Sequence, residues 1–247
     1  MTIEITNTDL DYSDMHERMQ FYIDNNILSC CSTLVMRGAD VVDYRTFGFM
    51  DLESKQPLSR DAIYRMYSNT KIVTSVALMM LFEKGKFQLN DPVSKFIPDF
   101  DQPKVLKADA KSIEDVEEAR SPIIISQLLS HSAGLSYGFI EPDSIVDRAY
   151  NASGVDALSQ SSMDLEELCH LIARQPLAYQ PGTSWRYSFA TDVCARLVEI
   201  ISGKAFDEFL QENLFEPLNM KDTGFWVKES DMDRLITIYA PTDIFDP

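Results

Sequence analysis

Ser68-Asn69-Thr70-Lys71 sets a hydroxyl and an amine three residues apart where an apolar run begins. That run, Ile72 to Lys84 (IVTSVALMMLFEK), is closed by Gly85 and reads as a buried helix with a C-terminal stop. Residues i and i+3 share a helical face, so the Lys71 ammonium can reach the Ser68 hydroxyl. A serine is a poor nucleophile near neutral pH and needs a base within hydrogen-bond reach. Lysine serves as that base only if desolvation or nearby positive charge lowers its pKa, which an apolar helix allows. A serine at a helix start also turns its backbone N–H toward an incoming oxyanion. The four residues alone are better explained by a Ser N-cap followed by a surface Lys.

A second element stands at Gln180-Pro-Gly-Thr-Ser-Trp-Arg-Tyr-Ser188, just before a predicted helix from Ala190 to Ser202 that Gly203 closes. Pro181-Gly182 marks a turn, so Tyr187 lies where a loop enters a helix. A tyrosine beside a lysine can relay a proton between nucleophile and leaving group. The alternative is a buried aromatic packed next to Trp185.

The two motifs together resemble the serine β-lactamase and penicillin-binding-protein superfamily, and within it class C β-lactamases, DD-peptidases and the family VIII carboxylesterases. Further similar segments are Tyr64-Arg-Met-Tyr-Ser-Asn-Thr-Lys71, Leu89 to Pro98, Leu128-Leu-Ser-His-Ser-Ala-Gly-Leu135 and Phe215 to Phe225, in the family's order. The resemblance implies an α/β fold: a β-lactamase-like sandwich, antiparallel sheet flanked by helices, with a helical subdomain. It implies Ser68 as the acylated nucleophile, Lys71 as its base partner and Tyr187 as the second general acid/base, with no cofactor and no metal.

Two departures shape the expectation. The family's β-lactamases and peptidases carry Asn two places after the tyrosine, where its amide binds the substrate's amide side chain; here that place is Phe189. An apolar ring cannot make that bond, which tilts the reading from β-lactams toward simple esters. The third family motif, a strand with K-T-G or H-x-G, does not occur after Tyr187. The chain is therefore expected to be the N-terminal portion of one catalytic domain, with a helix and first strands over 1–65, the nucleophile helix and helical subdomain over 66–220, and the C-terminal strands absent. That strand supplies the second oxyanion donor, whose loss costs about 10²–10³ in rate, so the chain alone is expected to be nearly inactive.

Composition is consistent with this. The 247 residues are 45% hydrophobic, enough for a large core. The 22 basic against 39 acidic residues leave a net charge of −17, which argues against nucleic acid or an anionic membrane as partner. The first residues have no basic and apolar leader pattern, and no long apolar stretch follows, so a cytoplasmic protein is expected. Its partner would be a small-molecule ester; oligomeric state is not readable. The four cysteines, Cys30, Cys31, Cys169 and Cys194, read as free thiols, and His16, His131 and His170 lack metal-ligand spacing. His131 reads as a structural hydrogen-bonder.

Gly134-Leu-Ser136-Tyr-Gly138 satisfies the nucleophile-elbow pattern of α/β-hydrolases, but neither the strand before it nor the helix after it is present in the pattern. The remaining punctuation predicts a helix over Ser13–Asn25 capped by Ser13, a hairpin of Cys31–Arg37 with Val41–Gly48, an exposed loop over Asp99–Arg120 and a surface excursion over Glu141–Ser162. It further predicts a helix capped by Asp164, one over Ala205–Leu214, and a strand-like Thr223–Val227.

The expected function is a serine hydrolase cleaving carboxylic esters through an acyl-enzyme. Trp185 and Phe189 are candidates for an apolar substrate pocket, with ordinary packing as their alternative. A β-lactamase or DD-peptidase is the rival within enzymes. A catalytically silent protein of the penicillin-binding fold is the rival outside them.

Overall fold

The computed structural model describes residues 4–155 and 163–240. Its chain forms two compact units, one of residues 1–66 with 224–247 and one of residues 67–223. In the first, helix α1 (Ser13–Asp24) runs close to the predicted span, but Tyr12 holds the N-cap position and no side chain caps the helix. The Ser13 backbone N–H donates instead to the Asp11 carboxylate at 2.9 Å, which makes Asp11 the local acceptor. Strands β1 (Cys30–Arg37) and β2 (Asp40–Asp51) form the predicted antiparallel hairpin, with Leu34 opposite Tyr44 and an irregularity between Val35 and Met36. Strand β3 (Gln56–Pro57) pairs with the far end of β2. Gly48 is obligatory: at φ +75° a Cβ there would lie 2.2 Å from the Ser29 carbonyl oxygen. The predicted strand over 223–227 does not form. A strand needs a neighbouring ladder, and here the returning chain is tied further on, where Ile236 N–H donates to Ile63 O at 3.0 Å and Thr237 N–H to Met50 O at 2.9 Å.

The second unit holds the larger core. Helix α2 (Thr70–Glu83) buries Thr74, Ala77, Leu78 and Leu81, but Ile72 and Val76 are exposed, so the apolar run expected to be a buried helix is buried on one face. The expected loop over 99–120 instead contains β4 (Lys104–Leu106) paired antiparallel with β5 (Val116–Glu118). Its charged residues concealed Val105, which is 1% exposed, and the Leu106 N–H donates to Leu177 O at 2.9 Å. The short helix α3 (Ile125–Leu129) buries Ile125 and Leu128. The supposed surface excursion contains α4 (Ile145–Ala152), capped by Ser144 and burying Val146, Asp147 and Tyr150; residues 156–162 of that expectation lie outside the described residues.

Asp164 caps α5 (Leu165–Ala173) as expected, accepting from Glu167 N–H at 2.8 Å. Helix α6 (Ala190–Ser202) ends at Gly203, whose φ of +73° is the left-handed stop that the sequence implied. It buries Val193, Leu197 and Val198 and packs against α2, α3, α5 and α7 (Phe206–Leu210), so it is the central helix of this unit. Helix α7 is shorter than predicted and passes into a π-helical turn, Gln211–Phe215. No cysteine among the described residues forms a disulfide. No helix among them is long and apolar enough to cross a membrane.

Candidate active site

Ser68 lies in a single 3₁₀ turn, Tyr67–Asn69, that leads into α2. Tyr67 enters this turn at φ +41°, a left-handed conformation unusual for a bulky side chain, so the chain bends sharply just before Ser68. Ser68 is left exposed at that bend. The loop before α6 brings Tyr187 to it: the Tyr187 hydroxyl donates to Ser68 Oγ at 2.7 Å. Lys71, on the first turn of α2, places its Nζ 4.9 Å from the centre of the Tyr187 ring and 5.1 Å from that of Tyr137. It also donates to the Tyr137 hydroxyl at 3.4 Å. The spacing of the first motif and the position of Tyr187 thus converge on one cluster, in which a phenol stands directly against the serine oxygen.

The expectation of a depressed Lys71 pKa does not hold. Burial pushes the ammonium down, but its hydrogen bond to Tyr187 and its electrostatic interactions with Tyr137, Asp192 and Tyr187 more than offset this, leaving it above the ordinary range. The apolar helix supplies desolvation, yet the side chain reaches away from that apolar face into a cage of oxygen-bearing groups.

Tyr137 is the residue that sequence reasoning missed. Its ring stacks on Phe189, with centroids 4.4 Å apart, and packs against Tyr187 at 5.3 Å. Burial, then the Asp192 charge, push its hydroxyl up despite Lys71, so Tyr137 is held as a neutral phenol. It lies in a loop bracketed by Gly134 and Gly138; at Gly134, with φ +88°, a Cβ would sit 2.5 Å from the Tyr179 carbonyl oxygen. The available signal was the elbow-like G-x-S-x-G itself, which drew attention to Ser136 instead of its neighbour.

Ser136 is 0% exposed and belongs to a polar cluster behind the site. Its hydroxyl donates to the buried Asp147 carboxylate and accepts from Arg186 Nε at 2.7 Å, and Arg186 also pairs with Asp147 at 3.1 Å and Glu141 at 2.8 Å. A hydroxyl so engaged has a structural task, consistent with the absence of an elbow. His131 is hydrogen-bonded through Nδ1 to Ser188 Oγ at 3.1 Å, and its ring lies 5.1 Å from that of Tyr187. Burial, then Lys71, hold the His131 imidazole below its usual range, so it is neutral.

The two candidate pocket residues differ. Trp185 is 66% exposed, with one edge toward His131. Phe189 is 4% exposed and sandwiched between Tyr137 and Tyr150, so its ring is packing that braces Tyr137 from behind. Asp192, on the first turn of α6, completes the surroundings. Burial raises its carboxyl to about 6 although Lys71 draws it down, and its Oδ2 is hidden from solvent with no hydrogen-bond partner.

Known proteins resemble this chain over most of its length. Protein Rv1367c of Mycobacterium tuberculosis is 31% identical over 220 residues, covering 87% of this chain and 52% of the relative. Esterase EstB of Burkholderia gladioli is 30% identical over 194 residues, covering 78% of this chain and 46% of its own. The solved structure of EstCE1, described as a hydrolase with promiscuous acyltransferase activity, superposes with a TM-score of 0.79 at 30% identity, covering 94% of this chain and 58% of the other. The chain thus spans about half the length of the curated relatives it matches. The antiparallel strands and helices are those of the β-lactamase-like fold. With the Beta-lactamase family model matching residues 27–245, the chain belongs to the β-lactamase family of serine hydrolases and penicillin-binding proteins.

Proposed function

We propose that this chain carries the acylation centre of a serine hydrolase that cleaves carboxylic esters through an acyl-enzyme. The observation that carries the reading is the 2.7 Å contact between the Tyr187 hydroxyl and Ser68 Oγ, with the Lys71 ammonium beside the same phenol. Ser68 Oγ bonds to the ester carbonyl carbon, and the carbonyl π pair moves to oxygen, where the Ser68 backbone N–H meets it. The serine proton passes to the Tyr187 oxygen. As the ester C–O bond breaks, Tyr187 returns that proton to the departing alcohol. Water then repeats the sequence on the acyl group, and the acid leaves.

The raised Lys71 changes the division of labour from the one expected. For the first step, Lys71 and Tyr187 together must hold one proton fewer than an ammonium plus a phenol. With the lysine disposed to keep its proton, the phenol oxygen is the base, and the ammonium steadies the negative charge on it. Tyr137, neutral and stacked on Phe189, fixes the other side of the lysine. Phe189 in place of a hydrogen-bonding Asn supports esters over β-lactams, and exposed Trp185 is an apolar contact for the acyl or alcohol part.

The test is fluorophosphonate labelling with the adduct mapped by peptide mass spectrometry. In protein extended to the length of its relatives, modification at Ser68, with hydrolysis of short-chain p-nitrophenyl esters in preference to nitrocefin, is expected. An adduct on Ser136 would overturn the assignment. The likeness to EstCE1, a hydrolase with promiscuous acyltransferase activity, favours a second reading, in which an alcohol in place of water splits the acyl-enzyme. Added methanol would then divert product from acid to methyl ester.

A further inference from the structure

Asp192 is the charged group at this site that the ester-cleaving scheme leaves without a task. It lies five residues beyond Tyr187, and its backbone N–H donates to Phe189 O at 3.0 Å, which fixes it in the first turn of α6. Its Oδ2 is withdrawn from solvent and accepts no hydrogen bond. A carboxylate oxygen in that state is costly to the fold unless an opposite charge compensates it. Helix α2 packs directly on α6, and the cation that Asp192 feels is Lys71, each group favouring the charged form of the other.

The other titratable groups around the pair do not compete for that role. Tyr137 and His131, from the loop after α3, are held neutral, as are the thiols of Cys169 on α5 and Cys194 on α6, which burial pushes up. Arg196, one turn along α6, is engaged by Glu166 and by Glu199 at 3.0 Å. Arg186, next to Tyr187, is matched by Glu141 and Asp147. Tyr187 is the remaining group, and it is the one in contact with Ser68.

We propose, resting on the hydrolase reading above, that Asp192 is a positioning residue that keeps the proton shared by Lys71 and Tyr187 on the lysine, leaving the phenol oxygen to face Ser68 as the base. Once the pair has lost one proton, two arrangements have the same composition: amine with phenol, or ammonium with phenolate. A buried negative charge beside the lysine favours the second. The same charge makes the first proton harder to remove. Asp192 therefore delays the activation of the pair on a rising pH scale and strengthens the base once activation has occurred.

This double effect separates a charge-directing role from a merely structural one. In Asp192→Asn, made in protein extended to the length of its relatives, the acid limb of the kcat profile moves to lower pH while the plateau falls by about tenfold or more, short of the 10²–10⁴ expected for loss of the general base itself. Asp192→Glu restores both. The lysine is read without turnover by ε-¹³C-lysine NMR, its resonance assigned by its loss in Lys71→Arg, with Asp192→Ser measured alongside as a second uncharged variant. The Lys71 midpoint moves down in both uncharged variants.

An unmoved midpoint in the folded variants overturns the proposal, as does a uniform fall in rate with the pH profile unchanged. If the midpoint moves but no ester is cleaved by the parent protein extended to the length of its relatives, it is the hydrolase reading that fails.

Discussion

Replacing Asp192 with Asn should raise the stability of the fold relative to the parent as pH climbs, while weakening the proposed chemistry. The carboxyl titrates near 6 in the folded chain against an ordinary 3.8, chiefly because it is buried, with Lys71 offsetting only part of that burden. Between those two values the native state binds a proton that the unfolded chain has already released. Stability therefore falls as pH rises through this window and stays lower above it. A difference of about 2 pH units, at about 1.36 kcal/mol each, gives about 3 kcal/mol. The Asn variant has no such proton, so its stability relative to the parent should rise by up to about 3 kcal/mol between about pH 4 and pH 7. An amide without a partner also carries a desolvation cost, but one that is the same at every pH, so the change in the difference is the quantity to read. Urea unfolding of both proteins across that range measures it. Parallel stability curves, or an Asn variant that loses ground as pH increases, would refute the argument that the buried carboxylate is under-compensated.

The remaining expectations are more direct. Tyr187→Phe removes the hydroxyl at Ser68 and should lower kcat by about 10²–10⁴ with little change in KM for a p-nitrophenyl ester. Because Lys71 sits above the ordinary lysine range, its ε-¹³C NMR titration should have a midpoint above that of a lysine in a short peptide, and a midpoint below it would contradict this. Arg186→Met leaves Asp147, which is 0% exposed, without its counter-ion and should destabilise the fold by about 3–5 kcal/mol in chemical denaturation. Tyr137→Phe removes one hydrogen bond to the lysine, worth about 1.5–3 kcal/mol for a charged donor, and should lower kcat while leaving fluorophosphonate still directed to Ser68.

Much of the site was legible because its parts carry local signatures. Ser68 and Lys71 sit at i and i+3 before an apolar helix, and Tyr187 sits between a Pro-Gly turn and a helix whose end Gly203 marks. Those signals depend only on neighbours in sequence. Tyr137 had no such signal, since its importance arises from a stack on Phe189 and a reach to Lys71 that only the tertiary packing of α2 against α6 creates. Asp192 was hidden for the same reason: an acidic residue in a first helical turn looks like an ordinary partner of the helix dipole. The direction of the Lys71 shift was misjudged because the helix was read as its whole environment, whereas three oxygen-bearing side chains come from elsewhere in the chain. Charge density misled at 99–120 and 141–155, where short elements are pinned by single buried residues such as Val105 and Tyr150.

The ion cluster of Ser136, Asp147 and Arg186 has a bearing on how this molecule could change its preferences. Ser136 adjoins Tyr137, and Arg186 adjoins Tyr187, so one knot of opposite charges anchors the roots of both phenols. Substitutions there would shift the two rings together and blunt the reaction for every ester alike. Variation that retunes what is accepted, without touching how it is cleaved, should therefore accumulate among exposed side chains such as Trp185, whose ring takes no part in the knot.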